Sequence, residues 1–339
     1  MPVLRIPTEI WLEIVSNSKF LIHGTEKDGT SRSVFLLSRR RFRGAPPSAY
    51  WTRPKTLRAL SQTCRTLRSI FIPLLWEHVE AGTSWPPITS VIIERCNGLI
   101  KSENQHLAIH VRVFSVSVPT HHSTKVAPVL AQCLRSLPNL HTLHVPYVES
   151  KLGKTFTAAF KNIQLPTVKT IILPCYAHAI LGATPNVRDV SCNRELSETL
   201  FDTLVKRCPK VERIQGFRLT SEKLNKLSES SLKLREVAVP AYTDISSLSV
   251  IKSLSVIELI AESWDYVDWS EIGAEDVSPS TARKRGIMQK RFDEARAVLE
   301  ASADEALRRI KISYWQTIPT GVVAGNFGPY WVRAEAFDV

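Results

Sequence analysis

Apolar residues recur in a fixed three-position pattern between about residue 140 and residue 312. The second position follows the first by three residues, and the third follows by two more. The last two positions alternate with polar residues, as on a short strand with one buried face. The pattern therefore predicts seven strands in this region. Its copies begin at Leu140, Val168, Val187, Val211, Leu234, Leu254 and Leu307.

Helical stretches are predicted between the strands, because apolar residues recur there at the spacing of one helix face. Most copies lie about 19 to 28 residues apart, close to the period of solenoid repeats. One such unit cannot bury its apolar edge alone, so a stack of units is required. The clearest stripes are Val126, Val129, Leu130, Cys133 and Leu137, and Leu200, Phe201, Leu204 and Cys208.

A different pattern occupies the first eighty residues, in two separated parts. The first part opens with Ile6-Pro7, and Thr8 is suited to accept a hydrogen bond as a helix N-cap. Ile10 and Ile14 then share one face of the predicted helix. This part therefore predicts a short amphipathic helix.

The second part predicts another helix, through Leu57, Leu60, Cys64 and Leu67 and on to Ile70 or Phe71. The run Pro73-Leu74-Leu75-Trp76 follows, and Pro73 is expected to end this helix or to begin the next. Apolar spacing of this kind is also typical of any small helical bundle.

The ordered combination of Ile6-Pro7, Cys64-Arg65 and Pro73-Leu74-Leu75 resembles the F-box family. The resemblance implies a three-helix module that docks on the Skp-family adaptor of a cullin-based ubiquitin ligase. It also implies that the contacts are mainly apolar. The adaptor-binding residues would be Ile6, Pro7, Ile10, Ile14, Leu60, Cys64 and Leu67.

A basic insert at about residues 18–55 separates the two parts of the motif. Its glycines, its Pro46-Pro47 pair and the run Arg39 to Arg43 predict a flexible surface loop. Closing a long loop costs little, ~0.6 kcal/mol per doubling of length, so a folded F-box tolerates one. The alternatives are that the insert disables the F-box or that it is retained intron sequence.

Residues 105–318 resemble the leucine-rich-repeat domains found behind F-boxes, especially degenerate fungal ones. The predicted fold class is thus α+β: an F-box module, then an α/β leucine-rich-repeat-like solenoid. An ordinary α/β domain with a parallel sheet is the alternative.

The predicted organisation is a module at 1–80, a linker at 81–104, the repeats at 105–318 with an acidic and basic insertion at about 262–291, and a C-terminal tail or cap at 319–339. A long amphipathic helix is predicted from Phe292 to Ile310.

Polar residues beside the apolar strand positions are expected to face the concave side of the solenoid. They would bind a target protein, whereas the alternative is a solvated sheet surface without a partner. The predicted target-binding residues are Thr142, His144, Thr170, Asp189, Ser191, Arg213, Gln215 and Glu236, accompanied by Ile172, Ala238 and Glu258.

Composition and charge restrict the class of protein. Hydrophobic residues make up 44% of the chain, so a packed core is expected. The six cysteines lack CxxC pairs and are expected to be reduced, in an intracellular protein. No signal peptide or membrane span is visible, which predicts a cytoplasmic and/or nuclear location. More than half of the net charge of +12 lies in the basic insert, so nucleic-acid binding is not favoured.

No motif for catalysis or cofactor binding is found. Phosphate-binding glycine loops and the GxSxG nucleophile elbow are absent from the sequence. Cys133, His141 and His144 are zinc-type ligands, but they fall on a helix core and on strand positions, so neither a metal nor a cofactor is expected. The resemblance to the F-box family therefore implies a non-enzymatic substrate-recognition subunit. The alternatives are a repeat scaffold with a disabled F-box and a basic nucleic-acid-binding protein.

Overall fold

Helices and parallel strands alternate along the described chain, which divides into two units. The first unit ends at Thr167 and the second begins at Val168. No described helix is long and apolar enough to cross a membrane. The computed structural model describes residues 23–25, 31–33, 48–81, 89–118, 123–148, 150–192, 198–261, 279–302, 308–317 and 330–338.

The first unit contains a small hairpin and a three-strand parallel sheet. In the hairpin, β1 (His23–Thr25) pairs antiparallel with β2 (Ser31–Ser33). After the hairpin, the first unit contains α1 (Ser48–Thr63), α2 (Arg65–Trp76), β3 (His78–Ala81), α3 (Thr89–Ile100), α4 (Gln105–Ala108), β4 (Val113–Val118), α5 (Ser123–Arg135), β5 (Thr142–Val148) and α6 (Gly153–Phe160). In the sheet, β4 pairs in parallel with β3 on one side and β5 on the other.

The second unit contains six parallel strands in chain order and one antiparallel strand at the end. A 22-residue helix precedes the last two strands. The elements of the second unit are β6 (Thr170–Leu173), α7 (His178–Gly182), β7 (Asp189–Cys192), α8 (Glu198–Arg207), β8 (Arg213–Gln215), α9 (Ser221–Glu229), β9 (Glu236–Pro240), β10 (Val256–Ala261), α10 (Pro279–Glu300), β11 (Arg309–Thr317) and β12 (Tyr330–Asp338).

All seven predicted strands are confirmed, as β5 to β11. Within the second unit the register aligns the middle position of each copy across neighbouring strands. These aligned side chains are at most 1% exposed and form the core face of the sheet. The aligned residues are Ile171, Val190, Ile214, Val237, Ile257 and Ile310.

A repeated hydrogen-bond junction joins successive strands. At the start of β7, the N–H groups of Arg188 and Asp189 both donate to the carbonyl oxygen of Lys169, at 2.7 and 3.0 Å. A carbonyl oxygen has two lone pairs and can accept both bonds. The successive strand-containing segments therefore repeat in backbone structure as well as in sequence. The same junction recurs at the starts of β4, β5, β8, β9 and β10.

The segment at 81–104, predicted to be a linker, contains α3, whose Ile92, Cys96 and Leu99 are buried. The three-position apolar pattern also fits β4, through Val111, Phe114 and Val116, all fully buried. It fits β3 more loosely, with Trp76, Val79 and Ala81 at the three positions. The apolar pattern thus extends upstream of residue 105, as far as the end of α2.

The predicted helix through Leu57 and Leu67 is in fact two helices. Cys64 separates α1 from α2 in an extended conformation, with φ −155° and ψ 168°. Pro73 lies inside α2, and α1 begins at Ser48, within the predicted insert. Pro54 lies inside α1, so proline did not mark a helix boundary at either position. Residues 6–14, with the predicted first helix, lie outside the described residues.

One prediction for the C-terminal region is also wrong. The helix predicted from Phe292 to Ile310 ends at Glu300, and Ile310 lies in β11. Pairing with β10 places Ile310 and Ile312 at buried strand positions, so tertiary packing decides between the two apolar periods. Helix α10 starts inside the predicted insertion at 262–291. The predicted tail contains β12, which pairs with β11 along nine residues.

A glycine at the end of β8 permits a close backbone approach. Gly216 has φ +73°, and a Cβ atom there would overlap the carbonyl oxygen of Cys192 on β7. We expect Gly216→Ala to lower the free energy of unfolding by more than about 2 kcal/mol, because backbone strain and a steric clash act together. Urea unfolding followed by circular dichroism measures this loss.

Gly286→Ala is the matched control. Gly286 is exposed in α10, and a Cβ atom there would meet nothing within 4 Å. Alanine should stabilise this helix by about 0.5–1 kcal/mol, because it restricts the unfolded backbone. Equal effects of the two substitutions would contradict the close approach at Gly216.

Candidate protein-binding surfaces

The α1–α2 pair has a small core surrounded by partly exposed apolar residues. Leu57, Leu67 and Phe71 form the core, with exposures of 2%, 5% and 0%. Side chains packed against this core keep part of their surface open. Such a rim can bind an apolar surface of another protein without unpacking the helix pair. The rim residues are Leu60, Cys64, Ile70, Leu74 and Leu75.

The predicted adaptor-binding residues divide into three groups. Leu60 and Cys64 lie on the partly exposed rim. Leu67 is buried in the core of the helix pair and does not lie on its open rim. Its burial follows from its position on the same face of α2 as Phe71, four residues later. Ile6, Pro7, Ile10 and Ile14 lie outside the described residues.

Cys64 differs from the other cysteines in its exposure. It is half-buried at the start of α2, whereas the remaining five are buried. Burial raises the pKa of the Cys208 thiol to about 12, although nearby Arg207 opposes the rise. Thiolate is the reactive form, so buried thiols of this kind react slowly. Cys64 is therefore the natural chemical reporter of the α1–α2 rim.

Polar side chains of the second unit occupy two aligned rows on the sheet face opposite the apolar core. The predicted target-binding residues of this unit fall in these rows, as the strand alternation requires. One row contains Thr170, Asp189, Arg213, Glu236, Val256 and Arg309, and the other contains Ile172, Ser191, Gln215, Ala238, Glu258 and Lys311.

Arg213 lies at the centre of an ion-pair cluster on this face. Its guanidinium donates to Asp189 Oδ2 on β7 at 3.0 Å and to Glu236 Oε1 on β9 at 3.0 Å. It also reaches Glu258 Oε2 on β10 at 2.8 Å and Gln215 Oε1 at 3.0 Å. Lys311 on β11 lies 3.5 Å from the same Glu236 oxygen. One arginine therefore links four neighbouring strands.

The Arg213 cluster is largely shielded from water. The Arg213 side chain is 14% exposed and that of Glu258 only 4%. Burial lowers the pKa of Arg213, but the charges of Asp189, Glu258 and Glu236 outweigh it and raise the pKa well above its ordinary value. Removing one member of a buried ion-pair group leaves charge without compensation. The cluster therefore acts primarily as a brace for the sheet.

Burial limits the predicted target-binding surface. In the first unit Thr142 and His144 are 5% and 6% exposed, and in the second Ser191 and Gln215 are 3% and 5% exposed. These four side chains are not open to a partner, contrary to the expectation of a solvent-facing surface. Thr170, Asp189, Arg213 and Glu236 keep partial exposure, and the last three belong to the ion-pair cluster.

A serine between two histidines lies on the polar face of the first unit. His78 Nε2 is 3.2 Å from Ser115 Oγ, and His144 Nδ1 is 3.4 Å from the same oxygen. Glu80 approaches His78 at Nε2, 3.8 Å away. A catalytic triad instead places the carboxylate on Nδ1, where it orients the base. The Glu80 contact with His78 therefore differs from that of a catalytic triad.

The described residues contain no group of three or more His, Cys, Asp or Glu side chains that could hold a metal ion. No model of a known protein family matches the chain, and no curated protein matches it. The partly exposed surfaces of the described residues include the α1–α2 rim and part of the polar sheet face.

Replacing Arg213 by methionine tests whether the ion-pair cluster stabilises the sheet. We expect Arg213→Met to lower the free energy of unfolding at neutral pH by about 3–5 kcal/mol, because three carboxylates lose their shared cation. Denaturant unfolding at neutral pH measures this loss.

Arg188→Met provides the control on the same sheet. Arg188 lies 3.5 Å from Glu212, and the two side chains are 58% and 44% exposed. An exposed pair of this kind contributes about 0–1 kcal/mol, so its loss should have little effect. Similar losses for the two variants would argue against a special role for Arg213.

Proposed function

We propose that the protein is a substrate-recognition subunit of an Skp–cullin–F-box ubiquitin ligase. The observation that carries the proposal is the rim of the α1–α2 pair, where five apolar residues surround a three-residue core and stay partly exposed. These helices bear the Cys-Arg and Pro-Leu-Leu parts of the F-box pattern. They lead directly into the repeats, because β3 begins two residues after α2 ends.

In this function the helix pair and the predicted N-terminal helix hold the Skp-family adaptor, and through it a cullin. A target protein would bind the repeat region, which we propose to be a solenoid of the leucine-rich-repeat type. Partly exposed polar residues of the sheet face outside the ion-pair cluster, such as Thr170, are available for this contact. The target itself is not defined by these residues.

Ubiquitin transfer would then depend on proximity. A receptor that holds the target beside a charged conjugating enzyme turns a reaction between two molecules into an effectively unimolecular step. The nucleophile is a lysine of the target, and the activated carbonyl belongs to the ubiquitin thioester. This chain needs to supply two binding surfaces at a fixed separation and no acid, base or nucleophile.

The second candidate is a repeat scaffold that recruits no ligase. It is favoured by the segment between the two parts of the motif, which includes the β1–β2 hairpin. Deleting residues 19–47 discriminates between the candidates, because this deletion leaves α1 intact from Ser48. Adaptor binding that appears only after the deletion would support the scaffold.

Leu60→Asp tests adaptor docking by the full-length protein. Leu60 lies on the partly exposed rim, so a carboxylate there would be buried against the apolar surface of the adaptor. We expect the affinity for a purified Skp-family adaptor to fall at least 30-fold, corresponding to about 2 kcal/mol. Isothermal titration calorimetry measures the change.

Ala59→Asp is the matched control, because Ala59 is the neighbouring residue of α1 and is exposed. It adds the same charge without touching the rim and should leave the affinity within about twofold of the unaltered chain. Circular dichroism must show that both variants keep their helix content. Equal affinity of Leu60→Asp and the unaltered chain would reject the docking surface.

A further inference from the structure

A stripe of exposed basic residues runs along the α1–α2 pair. Lys55 and Arg58 are three residues apart on α1, and Arg65 and Arg68 are three apart on α2, so the members of each pair share a helix face. All four are exposed. The segment from Ser48 to Trp76 contains five basic residues and no acidic residue. These four residues are called the basic stripe below.

The charge of the basic stripe is not neutralised within the described chain. No described carboxylate forms an ion pair with Lys55, Arg58, Arg65 or Arg68. Two cations of the second unit, Arg213 and Lys311, do contact carboxylates. Within the described residues, the charge of the basic stripe is therefore left for solvent ions or a partner to compensate.

The position of the two arginines is unfavourable for the helix that carries them. Arg65 and Arg68 lie in the opening residues of α2, which has no acidic residue in its first turn and no side-chain cap from Cys64. A helix N-terminus carries partial positive charge and disfavours nearby cations. A local conflict of this kind is typical of residues selected for function rather than stability.

The stripe continues into apolar residues. Ile72 and Leu75 follow Arg68 by four and seven residues, so they extend the same face of α2, and both are partly exposed. A nucleic acid offers phosphates to the cations but little to these aliphatic side chains. A protein surface with acidic residues beside an apolar hollow complements both the cations of the basic stripe and the adjoining aliphatic side chains.

We propose that the basic stripe docks on an acidic patch of the adaptor surface, beside the apolar contacts of the rim, and that it steers association electrostatically. The inference rests on the proposed function and specifies the chemistry of the partner surface. Long-range attraction of this kind raises association rates and weakens as salt screens it. Dissociation depends more on the apolar rim.

Stopped-flow association of the full-length chain with a purified Skp-family adaptor, over a range of sodium chloride concentrations, tests the proposal. We expect the association rate constant to fall steeply with salt. Arg65→Glu combined with Arg68→Glu should lower it about tenfold or more at low salt. Arg65→Lys combined with Arg68→Lys should retain most of the rate, because the charge is kept.

Lys161→Glu combined with Lys233→Glu is the control, because both lysines are exposed, neither lies on α1 or α2, and the change in net charge is the same. This variant should associate within about twofold of the unaltered chain. The thermal unfolding midpoint of the Arg65→Glu, Arg68→Glu variant should be unchanged or higher, since acidic residues suit a helix N-terminus. A slower rate therefore cannot be ascribed to unfolding.

Three outcomes would count against the proposal. An association rate that is independent of salt and of the double reversal overturns the inference while leaving adaptor docking in place. Absence of adaptor binding at every salt concentration overturns the proposed function and the inference with it. Binding of a labelled RNA or DNA duplex at physiological salt that is lost in the double reversal would assign the stripe to nucleic acid instead.

Discussion

The rest of the structure depends on the pairing of parallel strands. Parallel neighbours cannot be joined by a tight turn, so the chain must cross back over the sheet between one strand and the next. These crossings carry the apolar stripes of the connecting helices, such as the fully buried Leu200, Phe201 and Leu204 of α8. Within each unit, one sheet face is therefore committed to the core and the other is left for polar residues.

The polar face of the second unit is stabilised by charge. Strands β6 to β9 are short, and β8 has only three residues. Arg213 compensates by linking β8 to three other strands through carboxylates. Side chains held in this way cannot readily change conformation to contact a partner. The partly exposed residues around the cluster are better placed for recognition than the buried ones that the strand pattern also selected.

The sequence predicted the strands well because their apolar alternation is local information. The pattern identified β5 to β11, and it also fits β4 through Val111, Phe114 and Val116, where it was not applied. It failed where two local patterns compete. Ile310 fits both a helix stripe and a strand, and only pairing with β10 decides between them. The break at Cys64 was missed because cysteine is a weak capping residue and gave no signal.

The ion-pair cluster could be predicted only in part. The strand pattern placed Asp189, Arg213 and Glu236 on one face, but register is needed to show that they meet. The same holds for the rim of α1 and α2, because helical spacing alone did not separate buried Leu67 from partly exposed Leu60. In both cases the residue types were visible in the sequence, whereas their burial was decided by tertiary packing.

The proposed function requires that the α1–α2 rim is a docking surface. The most direct measurement is native-state alkylation of the free chain and of its mixture with saturating Skp-family adaptor, followed by mass spectrometry of each cysteine. We expect Cys64 to be modified first in the free chain, because the other five cysteines are buried. We also expect the adaptor to protect Cys64. Modification of Cys64 at the same rate in both samples would show that the rim is not the docking surface.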